Sequence, residues 1–514
     1  MKSLLKTGVF AAALLGMTAA PAIAQYSDSD MRAGLAAMGL DASEARYADG
    51  AWVFADLIGE ATEGEVQGNI RFFGPRQSAD GTVQIDRIVL DGFMAATPDM
   101  GSMNFDSIVL DAPNAELADD IALILRSLMG GTEPDEAELN WADYRFGGFS
   151  VNNLRTSFED EGQPVEFGID LIEVAGWTDD RIGRIGIDGF AVTGMAPIGD
   201  QGLQSVVFGF EEFAIEGAWT EPWAAMFANG GPGMLEAGGM TAMFDGILEF
   251  ALGKYDRVVL RDFELSAGDL ICLTMTLGES TSRLEDGVFH QDVVYDGLVL
   301  DVDLDNPELA EARVFFDAIG SDRIELSSAG SNAYDPATDR WWTTADSYLE
   351  WTGVMRMALD LDLAGYAAYQ RASMMASMAN SLGGGMTADQ SGAAELAALM
   401  ELTVNSVSFS ITDYRLIDAI ASIQAGQQGL DAATVRQGYA GMATIGLMSA
   451  PPEIPRDLVA QTSTALMGFL SNSGTITLNM NPPEPLAIGP LIQETAASAA
   501  PFSFDKLGLS VEHE

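Results

Sequence analysis

The side chains best suited to chemistry in this 514-residue chain are carboxylates, and their clearest pattern, Asp301-x-Asp303-x-Asp305, matches the opening of a calcium loop. Such a loop needs Gly at its sixth position for the sharp turn and Glu at its twelfth to hold the ion with two oxygens. Those positions hold Asn306 and Ala312. The three aspartates alternate with Leu298, Leu300, Val302 and Leu304, which makes them the wet side of a strand. Two other carboxylate clusters, Glu159-Asp160-Glu161 and Asp179-Asp180, have the residue types for glycoside cleavage, one acid and one base. With 76 Asp and Glu in the chain, adjacency carries almost no information, and both clusters read as hairpin tips.

Nucleophile patterns fare no better. Ser503-x-x-Lys506 has the spacing of a Ser/Lys acyl-transfer pair, in which one helical turn brings the amine to the hydroxyl. Its flanks, Pro501-Phe502 and Leu507-Gly508-Leu509, read as an extended tail. A Ser/His/Asp site would have to use His290, yet no G-x-S-x-G turn accompanies it. The single cysteine, Cys272, lies in the apolar run Leu270 to Leu273 and is expected to be core filler, since a catalytic thiolate needs a base beside it. Gly183-x-x-Gly186-x-x-Gly189 has the wrong spacing for a dinucleotide turn and Gly246 to Lys254 the wrong spacing for a phosphate loop. No residue is assigned as catalytic, cofactor-binding or metal-binding, and no cofactor is expected.

Methionines suggest binding instead. Met226, Met234, Met240 and Met243 form one cluster and Met374, Met375, Met378 and Met386 another, beside the glycine-rich stretches 230–233 and 383–385. Flexible thioethers suit adaptable apolar surfaces, and they also fill ordinary cores.

The elements that would position such residues are mostly strands. Period-2 alternation is clearest at Val83 to Phe93, and similar phrases recur at Ile182 to Phe190, Val206 to Phe213 and Tyr255 to Phe263. Looser copies occur at Phe105 to Leu110, Tyr144 to Val151 and Val293 to Leu304. Each phrase ends in a small or acidic residue and then an apolar one, usually Phe, which predicts a bulge that returns the aromatic ring to the apolar face. Leu359 to Leu363 repeats the one-sided pattern, with Asp360 and Asp362 facing water. Irregular spacing rules out a fixed-period solenoid. The expected fold is mainly β with α (α+β): a long antiparallel meander forming a curved sheet, groove or sandwich.

Helices interrupt this pattern at Met31 to Met38, at Glu116 to Met129 and from Asn306-Pro307 to Gly320. After about residue 364 the composition shifts to Ala, Met, Ser and Gln over Ala364 to Met400 and Leu416 to Leu470, which favours helix. The predicted organisation is a leader at 1–24, a β-rich repeat-like region at 25–364 and a mixed α/β C-terminal region at 365–514.

The leader reads as a secretory signal: Lys2 and Lys6, an apolar run from Thr7 to Ala20, and Ala22-Ile23-Ala24 as the cleavage site. A spanning helix would need about 20 apolar residues. The run stops short of that, so no stable transmembrane segment is expected after cleavage, and the mature protein is expected to be periplasmic or secreted. Its net charge is -51, and more negative once Lys2 and Lys6 leave. Nucleic acid is excluded as a partner, because counterion release requires clustered Lys and Arg. The acidity reads as a solvated, self-repelling surface.

The strand phrases, the export signal and the mixed C-terminal region together resemble bacterial envelope proteins of the AsmA-like and YdgA-like kind, over about residues 80 to 360. That resemblance implies a β-rich fold associated with lipid or outer-membrane homeostasis. AsmA-like proteins usually keep an N-terminal membrane anchor, from which this chain departs. The expected function is non-catalytic: binding or carrying an apolar ligand or lipid, or acting as an envelope scaffold. Mean hydropathy of +0.13 in so acidic a chain agrees with much apolar surface inside. The alternatives are a carboxylate-dependent periplasmic hydrolase and an outer-membrane β-barrel. The Ala/Met helices, the 11 tyrosines and the non-aromatic Val511-Glu512-His513-Glu514 tail count against the barrel.

Overall fold

A computed structural model describes residues 26–55, 65–97, 101–129, 143–160, 163–197, 203–221, 248, 251–268, 271–304, 310–381, 396–451, 454–497 and 504–514. The leader 1–24, with its cleavage site, lies outside the described residues. Strands make up 53% of the structure and helices 28%, so the class is α+β and mainly β, as the alternation predicts. The chain divides into two compact units, residues 1–267 and 268–514.

In the first unit the strands are β1 (Arg46–Ala48), β2 (Ala51–Ala55), β3 (Glu65–Phe73), β4 (Arg76–Gln77), β5 (Val83–Gln84), β6 (Arg87–Thr97), β7 (Gly101–Asp111), β8 (Phe146–Asp160), β9 (Gln163–Trp177), β10 (Arg181–Pro197), β11 (Leu203–Trp219) and β12 (Arg257–Ala267). Short β4 and β5 pair only with each other. The rest form an antiparallel meander in which each strand pairs with the next. Helices α1 (Asp28–Ala37) and α2 (Ala115–Met129) bury Leu35, Leu117 and Ile121 with Trp52, Phe54, Phe72 and Leu110. Helix α1 starts three residues before the sequence pattern does, because the Ser27 hydroxyl accepts a hydrogen bond from the Asp30 N–H and caps it.

Of the bulges predicted in this unit, the one at Gly92 shows a register shift, where β6 pairs with β3; at the other phrases the ladder is interrupted equally on both strands, without a shift. At Asp188-Gly189-Phe190 the ladder runs from Asp188 opposite Glu212 to Phe190 opposite Phe210, leaving Gly189 and Glu211 outside it. Gly189 sits at φ +65°, and Gly92, Asn153 and Asp262 adopt the same left-handed backbone at the matching level of β6, β8 and β12. Each left-handed residue turns the next apolar side chain back onto one face. There Phe93 stacks on Phe105 at 4.5 Å and Phe190 on Phe210 at 4.8 Å. On the other face Arg184 lies 3.2 Å from Glu173, 3.1 Å from Glu212 and 3.5 Å from Asp188, and Arg261 also holds Glu212.

The second unit contains β13 (Ile271–Glu285), β14 (Val288–Val302), β15 (Arg323–Asp335), β16 (Arg340–Trp351), β17 (Met355–Ala364), β18 (Thr403–Asp413), β19 (Gly474–Met480), β20 (Leu486–Ala487) and β21 (Leu509–His513). Strands β13 to β19 pair antiparallel in chain order, β20 adds to β18, and β21 closes on β19. The helices are α3 (Ala310–Ile319), α4 (Tyr366–Ser381), α5 (Leu416–Gln428), α6 (Ala432–Met448), α7 (Arg456–Asn472) and α8 (Ile488–Ala497). Helices α5, α6 and α7 connect β18 to β19, and His513 of β21 meets α7 through the Phe469 ring.

The compositional shift at 364 coincides with the end of β17, not with the division between the units. Strand β17 pairs with β18 across that point, so one meander continues through the change to helix-rich sequence.

Candidate functional site

An open apolar groove with a volume of about 410 Å³ lies on β14 to β18. That is within the usual size range for small-molecule sites. Irregular pairing opens it. The β15–β16 register shifts on either side of Ser331, and β16 leaves β17 between Trp342 and Tyr348. Where the ladder lapses, the Thr343 hydroxyl accepts a hydrogen bond from the Leu361 N–H at 3.0 Å, which satisfies a backbone donor that a regular sheet would have paired.

Alternation decides what lines the groove. Leu359 and Leu361 line it together with Phe409, which pairs opposite Leu359. Asp362 belongs to the other side, where both its oxygens accept hydrogen bonds from Arg340 and one also from Asn405. The one-sided strand read at Leu359 to Leu363 is thus the groove wall. Ser328, Gly330 and Asn332 enter from β15, Val293 from β14, and Trp341, Thr343 and Leu349 from β16.

Two aromatic residues give the wall rigidity. The Trp341 indole N–H donates to Asn332 Oδ1 at 3.1 Å, and the Trp341 ring stacks on Tyr366 at 5.1 Å. Burial pushes the Tyr366 hydroxyl above its ordinary pKa, and Gln370 hydrogen-bonds it at 2.7 Å. Tyr348 pairs opposite Ala358 and carries the Arg356 guanidinium 3.9 Å over its ring, on the side of the sheet that Asp362 shares. Among the described residues no lining residue is charged, although charged residues make up 20% of the chain. Large apolar side chains continue outward, with Tyr295, Leu349, Leu359 and Leu478 each between 38% and 45% exposed.

None of the residues first singled out for chemistry lies in this groove. Asp301 is exposed on β14, between Cys272 on one neighbour and Arg323 on the other, and Asp305 lies outside the described residues. Cys272 itself is half-buried rather than enclosed, because it sits on the polar side of its strand with Asp301. His290 pairs across the ladder with Arg283 and Ala333. Lys506 lies in a short turn of 3-10 helix, Phe504–Leu507, and Ser503 is outside the described residues. Asp179 and Asp180 form a hairpin tip, closed by Thr178 and Arg181. The cluster Met226 to Met243 lies outside the described residues, as do Met386 and both glycine-rich stretches.

The carboxylate pair with the most hydrolase-like electrostatics is Glu211 and Asp262. A hydrogen bond between them raises the Glu211 pKa, but both are exposed, at the row of left-handed residues in the first unit, and neither lines the groove.

A family model described only as an uncharacterized protein matches residues 348–514. That stretch supplies Tyr348, Leu349, Met357, Ala358, Leu359, Leu361 and Phe409 to the groove. No curated protein matches the sequence.

Sequence reasoning missed Asn332, Trp341 and Ser328. The available signal was the uncharged, small-residue run Ser327 to Tyr334, which is unusual in so acidic a chain.

Proposed function

We propose that this is an exported envelope protein that binds the hydrocarbon part of a lipid or similar apolar ligand in the groove on β14 to β18, without covalent chemistry. The observation that carries this reading is a groove whose described lining residues are uncharged, on a protein of net charge -51. Exposed apolar surface is costly in water, and its persistence around a concavity is the usual mark of a binding site. Each Å² removed from water by a ligand contributes roughly 25 cal/mol, so an acyl chain is held without any ion pair. The periplasmic location rests on the leader sequence, and the kinship with AsmA-like and YdgA-like envelope proteins rests on the strand phrases.

The test is to purify the mature protein from periplasm, extract it with organic solvent and identify co-purifying lipid by mass spectrometry, beside titration with a fluorescent acyl probe. Saturable binding that Leu361→Trp abolishes is expected, because the larger indole on the groove side of β17 would fill the groove. Absence of both lipid and probe binding would leave the groove as a surface irregularity and favour a scaffold role.

A further inference from the structure

We infer that the groove selects an electrically neutral ligand carrying a carbonyl oxygen, such as a fatty-acyl ester or amide, and that Asn332 reads that oxygen; this rests on the groove being an acyl-chain site.

The first argument is the orientation of the Asn332 amide. An indole N–H can only donate, so the Asn332 atom 3.1 Å from Trp341 Nε1 is the oxygen. The amide NH₂ is therefore turned away from Trp341. Among the described residues no acceptor takes a hydrogen bond from it, while Asn332 is part of the groove lining. Asn332 is half-buried, so this donor is met by solvent, and a ligand oxygen can take the place of that water. Tyr366 stacked behind Trp341 fixes the indole, so the donor is pre-oriented before any ligand arrives.

Charge supplies the second argument. The ionic groups on the neighbouring strands are engaged elsewhere: Arg340 with Asp362, and Asp292 with Ser331 and Arg283. Among the described lining residues a carboxylate would meet no cation, and an ammonium no anion. Ions taken from water without a partner are strongly disfavoured. The net charge of -51 adds long-range repulsion of anions. An ester carbonyl escapes both penalties and still accepts the Asn332 hydrogen bond.

The experiment uses the mature full-length protein at pH 8 with a pyrene-labelled fatty methyl ester as probe. It is displaced by four competitors of one chain length: methyl dodecanoate, dodecanoic acid, dodecylamine and dodecane. The ester should displace the probe at a concentration at least about tenfold below the acid or the amine. Asn332→Leu should weaken the ester about fivefold more than it weakens dodecane. Asn332→Asp, which keeps the side-chain shape but removes the donors, should likewise weaken the ester. Equal competition by acid or amine and ester would overturn the selectivity while leaving the groove as a binding site. Equal losses for ester and dodecane in both variants would overturn the role of Asn332. Failure of the probe to bind at all would overturn the groove reading itself.

Discussion

Gly189 on β10 and Asp170 on β9 approach so closely that a Cβ on the glycine would lie 2.2 Å from Asp170 Oδ2. The Asp170 carboxylate is fixed in turn by Arg155 of β8, so three strands meet at one bend. Two costs fall on any side chain there, the left-handed backbone at φ +65° and the clash. Gly189→Ala should destabilise the protein by about 2 kcal/mol or more in urea unfolding. Gly92→Ala, at φ +61° with nothing within 4 Å of its Cβ, should cost only the backbone part, about 1 kcal/mol. Equal losses at the two sites would mean that Asp170 moves aside freely.

Arg184 holds four carboxylates within 3.6 Å on the polar face of the first unit: Glu173, Asp188, Glu212 and Glu216. Burial lifts the Asp188 pKa above its ordinary value even with this guanidinium opposing the shift. Arg184→Met should lower stability by about 2 kcal/mol at low ionic strength, because the carboxylates then repel one another without compensation. Salt shortens the Debye length, so the loss should shrink toward 1 M NaCl. Thermal midpoints of both proteins across a salt series check this. A salt-independent loss would point to packing by the Arg184 stem instead.

Asp362, on the side of β17 away from the groove, gives a pH dependence with a definite sign. Hydrogen bonds from Arg340, at 2.8 and 2.6 Å, and from Asn405, at 2.8 Å, hold its pKa below the ordinary carboxylate value. The unfolded chain binds this proton at higher pH than the folded one, so the stabilisation is complete above about pH 4 and disappears as pH falls through the lower folded value. Asp362→Asn should cost about 1 kcal/mol at pH 7, and the gap from wild type should close in more acidic solution. Differential scanning calorimetry at pH 7 and pH 3 measures it. A gap that widens on acidification would contradict the assignment.

Much of the fold was legible in the sequence because strand alternation is a local property. The run Leu359 to Leu363 encodes a one-sided strand, and the phrase Asp188-Gly189-Phe190 a local bend at a left-handed glycine, each in consecutive residues. The mainly β class follows from such runs, and so do the helices between β18 and β19, from their Ala-rich composition. Composition does not record the continuity of the meander across 364, since pairing between β17 and β18 is a relation between residues 39 to 58 positions apart.

The candidate site was beyond the sequence for the same reason. Asn332 and Trp341 are nine residues apart on different strands, and only the turn between β15 and β16 brings the indole N–H to the amide oxygen. Phe409 joins them through strand pairing after a long helical excursion. The sequence by itself determined which residues are apolar, which strands are two-sided and where backbones bend. Tertiary structure decided where the ladder lapses, and therefore which of many apolar faces becomes a groove, because register is set by pairing between strands and not by either strand alone.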